Sequence, residues 1–151
     1  MKMNRRQALT LSTGALVAAA IGLRPGVALA DVEASQKLIM EFTGGVEPQA
    51  GKITLTAPEI AENGNTVPVT VSVDSTMTEG DMVDSVIIIA EDNPNPGVAT
   101  FHFTSLSGSA SASTRMRLAR TQNVIAVAKM ADGSVFIDKR EVKVTIGGCG
   151  G

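Results

Sequence analysis

The stretch "NVIAVAKMADGSVFIDKREVKVTI" (residues 123–146) decides the fold. Two runs rich in Val and Ile, 123–130 and 134–146, flank Asp132-Gly133, a dipeptide suited to the backbone of a tight β-turn, so a hairpin is expected. Upstream the same kind of run recurs in "KITLTA" (52–57), "TVPVTVSV" (66–73), "VDSVIIIAE" (83–91) and "VATFHF" (98–103). A weaker run, "RMRLAR" (115–120), is a candidate seventh strand. Glu62-Asn63-Gly64-Asn65 and Asn93-Pro94-Asn95-Pro96-Gly97 separate them as turns. No helical periodicity lies between these runs, which argues against a parallel sheet. The pattern predicts an all-β domain over residues 31–146, an immunoglobulin-like antiparallel β-sandwich. Trp and Tyr are absent and the single cysteine falls outside the runs, so the likeness to antibody domains is architectural only.

Ahead of the strands, residues 33–42 place Ala34, Leu38, Ile39 and Phe42 on one helical face, and Gly44-Gly45 ends the pattern. One short N-terminal helix is expected there. Pro68 has no N–H to give a ladder and suits an edge strand or a bulge. The unbroken run Val86-Ile87-Ile88-Ile89-Ala90 asks for cover on both faces. That cover is supplied either within the fold or by a second subunit.

The first thirty residues, "MKMNRRQALTLSTGALVAAAIGLRPGVALA", begin basic, continue with an apolar run from Ala15 to Leu23, and end on Ala28-Leu29-Ala30. They read as an export signal (1–30) cleaved before Asp31. The apolar run is short for a membrane span, and Arg24-Pro25-Gly26 interrupt it. Arg5-Arg6 points to the twin-arginine route, hence to a periplasmic protein exported already folded, although a Sec signal also starts with positive charge. Removing the leader from 151 residues leaves 121, enough for one small domain. Of thirteen basic residues, Lys2, Arg5, Arg6 and Arg24 lie in the leader, leaving nine against fifteen acidic ones. That balance argues against a nucleic-acid or anionic-membrane partner.

Few side chains in the body suggest chemistry. His102, between Phe101 and Phe103, is the only histidine, and the body holds no second histidine or cysteine with which it could bind a metal. Its plainer reading is a surface strand residue. Arg115, Arg117 and Arg120 form the one local basic cluster, suited to an anion or equally to a solvated face. The run "SLSGSASAS" (105–113) has many hydroxyls but no positioned base, and reads as a flexible loop. No nucleotide loop, metal cluster or triad is evident, and neither cofactor nor metal is expected in this chain.

Cys149 remains, set in "GGCGG" (147–151) after the final run. An odd cysteine in an exported chain signals an intermolecular bond or a reactive thiol. Gly147, Gly148, Gly150 and Gly151 remove bulk around it and suggest a thin, flexible C-terminal arm. Five extended residues reach about 17 Å at roughly 3.4 Å each. Such an arm would carry the thiol into a narrow channel on another protein. On this reading the arm buries almost nothing, so substituting Gly148 or Gly150 should leave domain stability unchanged. No cation sits in the tail, so thiolate formation falls to the enzyme that receives it.

The ending "GGCGG", the twin-arginine leader, and the segments "ENGNTVPVTVSVDS" (62–75) and "ARTQNVIAVAKMADGSVF" (119–136) together resemble the SoxY family, carrier subunits of periplasmic thiosulfate oxidation. The resemblance implies an immunoglobulin-like fold, a heterodimer with a SoxZ-like subunit, and Cys149 as the covalent attachment point for thiosulfate-derived sulfur. It further implies transient partners. A haem-containing SoxAX-type enzyme would couple thiosulfate to the thiol, a SoxB-type manganese hydrolase would release sulfate, and a SoxCD-type molybdenum and haem enzyme would oxidise the remaining sulfur. The chain itself would be a carrier and not an enzyme.

Two other readings stand beside it. An exported binding module dimerising through Cys149 fits the odd cysteine but gives no reason for the glycines. A ubiquitin-like sulfur carrier also ends in Gly-Gly, but delivers sulfur through its terminal carboxylate and lacks this all-β body.

Overall fold

The computed structural model describes residues 29–149, so the leader up to Ala28 and the glycines Gly150 and Gly151 lie outside the described residues. A helix, α1 (Leu29–Thr43), is followed by nine strands: β1 (Gln49–Ala50), β2 (Ile53–Thr56), β3 (Ile60–Asn63), β4 (Val67–Val73), β5 (Val83–Ala90), β6 (Gly97–His102), β7 (Ala110–Met116), β8 (Gln122–Met130) and β9 (Val135–Ile146). They form two packed sheets of an immunoglobulin-like sandwich. One sheet runs β1-β9-β8-β5-β6 with β3 also paired to β9, and the other runs β2-β4-β7.

The hairpin read from the opening stretch is present. β8 and β9 pair antiparallel from Gln122↔Val142 to Lys129↔Val135. Gly133 takes φ 88 at the turn, a left-handed angle that a Cβ would strain. Asp132 Oδ1 fixes the turn by accepting from Ser134 N and Ser134 Oγ.

Alternation on β4 sets the main core. Val67, Val69, Val71 and Val73 point inward, and meet Val86, Ile88 and Ala90 of β5 and Val124, Ala126 and Ala128 of β8. The run that asked for double cover receives it inside the chain. Ile87 and Ile89 face the other way with Ile125, Val127 and Val135, under Leu38, Ile39 and Phe42 of α1. The apolar character of β5 is therefore no argument for a second subunit. The buried helical face is Ser35, Leu38, Ile39 and Phe42, whereas Ala34, assigned to it by periodicity, is exposed. Ser35 tolerates burial because its hydroxyl donates to Val32 O at 2.9 Å. Gly44, at φ 67, stops the helix.

Four local features differ from the sequence reading. The serine-rich segment is a strand in its second half, because Ala110–Met116 pairs antiparallel with β4 from Val67↔Met116 to Val73↔Ala110. Small hydroxylated residues suit this outer face, where Thr70 Oγ1 and Ser113 Oγ lie 2.8 Å apart. The candidate strand 115–120 consequently ends at Met116 and continues as a loop. β1 and β3 are both short and both parallel to β9, through Gln49↔Phe136 and Ile60↔Lys143. Between those two contacts the side chains of β9 serve the backbone of β2, with Leu55 N donating to Asp138 Oδ2 and Arg140 Nε donating to Leu55 O. Pro68 lies on the central strand of its sheet, yet β2 pairs with β4 only as far as Thr56↔Thr70. Its missing N–H therefore falls where the strand is locally an edge.

Candidate functional site

Where β9 ends, three segments converge at one end of the sandwich. Asn63 is in register with Ile146. Beyond that pair Gly64 N donates to Ile146 O at 2.7 Å, Leu118 N donates to Gly64 O at 2.8 Å, and Gly148 N donates to Leu118 O at 2.9 Å. Residues 64, 118 and 148 are thus laced by backbone hydrogen bonds into a clasp.

Glycine is needed here for space. A Cβ on Gly148 would stand 2.7 Å from Gly64 O, 2.9 Å from Gly64 C and 3.1 Å from Asn65 N. A Cβ on Gly147 would collide with Ala119 O, and one on Gly64 with Leu118 O. All the obstructing atoms named are backbone and cannot rotate aside. Gly148 is buried. From sequence alone the arm begins at Gly147, and Gly147 and Gly148 are expected to be free of the domain. The structure instead packs Gly147 and Gly148 against the domain, because only residues without side chains admit such close backbone approach.

The receiving loop is itself held by a buried pair. Asn93 and Gln122 are each 3% exposed. Asn93 Nδ2 donates to Arg117 O at 2.8 Å, while Asn93 Oδ1 accepts from Ala119 N at 3.1 Å and Gln122 Nε2 at 2.7 Å. Gln122 Oε1 accepts from Asp92 N at 2.9 Å. Among the described residues no buried side-chain N or O lacks a partner, so this network costs little and fixes where Leu118 presents its carbonyl.

Cys149 follows directly. It is exposed and its thiol is free. Its amide donates to Asn65 Oδ1 at 3.3 Å, and Asn65 N in turn donates to Asn63 Oδ1 at 2.9 Å. The result is a solvent-facing thiol one residue beyond a rigid anchor. Nucleophilic or redox chemistry at sulfur is open to it.

The other candidates separate from this site or fall at its margin. His102 ends β6, exposed. Arg115 is exposed on β7, opposite Pro68, and Arg117 is exposed at the loop that follows. Arg120 belongs to the receiving loop, where its guanidinium donates to Asp92 O at 2.9 Å. Among the described residues no three His, Cys, Asp or Glu side chains gather as a metal site. The perturbed carboxylates lie at the opposite end, where β9 begins and β4 finishes. Lys52 Nζ stands 2.7 Å from Asp81 Oδ1. Its hydrogen bond, helped by one from Thr76 N, holds Asp81 down at about 2. The same contact raises Lys52, and hydrogen bonds from Ser134 lower Asp132. These are solvated pairs that secure loops.

Gly64, Asn65, Leu118, Ala119, Asn93 and Gln122 were not read from sequence as site residues. Yet "ENGNTVPVTVSVDS" contains the first two, and "ARTQNVIAVAKMADGSVF" contains Ala119 and Gln122. The body segments that carry the resemblance are those that meet the tail. A family model described as sulfur oxidation protein SoxY matches residues 39–149. The chain belongs to the SoxY family. Among solved structures it is similar to the sulfur carrier protein SoxY from Chlorobium limicola f thiosulfatophilum, with 32% identity and a TM-score of 0.64 over 76% of this chain and 94% of that one. It is also similar to superoxide reductase (neelaredoxin) from Ignicoccus hospitalis, with 17% identity and a TM-score of 0.55 over 62% of this chain and 80% of that one. At that identity the likeness speaks for the sandwich alone. None of the curated proteins matches significantly. The SoxY model extends through Cys149, so the family pattern takes in the clasp and the thiol together.

Proposed function

We propose that this protein is a periplasmic sulfur carrier whose Cys149 thiol holds thiosulfate-derived intermediates and presents them to separate enzymes. The observation that carries the reading is the free, exposed thiol placed one residue beyond an anchored Gly147-Gly148 base, in a chain of the SoxY family. As in a SoxY-family carrier, the work of catalysis is assigned to partners.

Oxidative coupling joins the Cys149 sulfur to the outer sulfur of thiosulfate, releases the thiol proton, and passes two electrons to a haem-containing partner. Water then attacks the terminal sulfonate sulfur. An S–O bond forms, the adjacent S–S bond breaks, sulfate leaves, and a persulfide stays on Cys149. A molybdenum and haem partner, where present, would take six electrons from that outer sulfur as three oxygens from water add to it and six protons leave, and hydrolysis of the resulting sulfonate would release a second sulfate and return the Cys149 thiol. Each metal belongs to a partner. Tethering keeps small anions at high effective concentration between successive active sites. A SoxZ-like subunit completes the carrier as a heterodimer, and the leader bearing Arg5-Arg6 exports the folded pair.

Reconstitution tests this directly. With purified partner enzymes, Cys149→Ser should keep the fold and lose thiosulfate-dependent oxidation. Turnover that survives the substitution rules the carrier mechanism out.

A further inference from the structure

The clasp divides the tail unequally. Gly148 is buried, donates at 2.9 Å to Leu118 O, and has backbone from Gly64 pressed against it. Cys149 is exposed and held through one longer bond, 3.3 Å, from its amide to Asn65 Oδ1. A pivot belongs where restraint falls off, between Gly148 and Cys149. The acceptor at that pivot is a side chain that can rotate away, whereas every other acceptor in the clasp is main chain. Asn65 is itself set in place because its amide donates to Asn63 Oδ1 at 2.9 Å in a local turn.

We propose that Asn65 is the positioning residue for the Cys149 thiol. Its carboxamide oxygen holds the Cys149 amide and selects a docked orientation of the thiol in the free protein. Rotation of the same side chain releases the cysteine without opening the clasp beneath it. The hinge of the arm is then one residue from the sulfur. A protein that takes the thiol into a channel must therefore approach the surface formed by Gly64-Asn65 and Leu118-Ala119, or else pull Gly148 out. The significance of this arrangement rests on the carrier reading, but its existence does not.

The test needs no sulfur-oxidising partner. Amide hydrogen exchange of the folded wild-type chain, Asn65→Ala and Asn65→Asp is measured at Gly148 and Cys149, beside the rate of Cys149 alkylation by uncharged iodoacetamide and by a bulky maleimide. One net hydrogen bond predicts a two- to tenfold rise in exchange at Cys149 for Asn65→Ala, with Gly148 still protected and the Tm lower by no more than roughly 2–6 °C. Alkylation by the bulky reagent should rise by a similar factor and that by iodoacetamide should not. Asn65→Asp retains the acceptor and should restore slow exchange. Unchanged exchange at Cys149 in Asn65→Ala overturns the proposal. So does equal acceleration at Gly148 and Cys149, which would make Asn65 a structural part of the whole clasp, and so does failure of Asn65→Asp to restore protection. If Cys149 proves to carry no sulfur in cells, the carrier reading fails while these exchange results stand.

Discussion

Replacing Gly148 with Ala adds one methyl group, yet the clasp has nowhere to put it. The new Cβ would stand 2.7 Å from Gly64 O and 2.9 Å from Gly64 C, well inside van der Waals contact. Two responses are open to the chain. The turn at Gly64 can shift, which strains β3 and the entry to β4, or the tail can leave the domain. The second sets a ceiling on the cost, because undocking relieves the clash. It gives up the Gly148 N to Leu118 O and Cys149 N to Asn65 Oδ1 bonds, whose groups then hydrogen-bond to water. At about 0.5–1.5 kcal/mol net for each bond, the loss is about 1–3 kcal/mol. For a domain of this size that corresponds to a Tm lower by roughly 4–12 °C. The chain lacks Trp and Tyr, so unfolding is followed by far-UV circular dichroism, with reductant present to prevent intermolecular disulfides. Amide exchange at residue 148 should rise in parallel. A Tm within a degree of wild type, with residue 148 still protected, would refute the clasp. It would also restore the expectation from sequence that the glycines bear on access alone.

Gly64→Ala should be worse than Gly148→Ala, about 3 kcal/mol by urea denaturation, because Gly64 lies between two strands and cannot peel away from Leu118 O; equal effects would contradict the geometry. Ile89→Ala should cost about 2–5 kcal/mol in the same assay, since Ile89 is fully buried between the sheet and α1, and a loss under 1 kcal/mol would mean that the helix does not cover this face. Asp81 has its pKa lowered from 3.8 to about 2, so its contribution to stability is complete above pH 4 and disappears as pH falls through 2. Asp81→Asn should therefore flatten the stability profile between pH 4 and 2, and an unaltered profile would remove the Lys52 and Thr76 contacts from the account. Arg5→Lys with Arg6→Lys should leave precursor in the cytoplasm on fractionation; normal export of the double variant would exclude the twin-arginine route.

The strands were legible where one side-chain period dominated. In 123–146 the β-branched runs and Asp132-Gly133 gave the hairpin to within a residue or two, and Val67 to Val73 gave the inward face of β4. Double burial of Val86 to Ala90 was also legible, but the cover was not, because only tertiary placement brings Leu38, Ile39 and Phe42 over Ile87 and Ile89. The serine-rich strand escaped because small polar residues on an outer face carry no alternation to read, and β1 and β3 are two and four residues long. At the site, Cys149 announced itself by its isolation. The clasp did not, since a glycine chosen for backbone approach and one chosen for flexibility look the same in sequence. Only Ala119 O beside Gly147 and Gly64 O beside Gly148 tell them apart. Asn93 likewise reads only as a turn residue, and Gln122 as the residue before a strand, until the fold brings them within 2.7 Å.

In this carrier, sulfur is proposed to travel on Cys149. The most direct measurement is the intact mass of the protein isolated from the periplasm of cells given thiosulfate, recorded with and without reductant, for wild type and Cys149→Ser. Species heavier than the bare chain by one sulfur atom or by a complete thiosulfate group are expected, removed by reductant and absent from Cys149→Ser. A wild-type chain that remains unmodified under active thiosulfate oxidation, or adducts that persist in Cys149→Ser, would contradict the proposal.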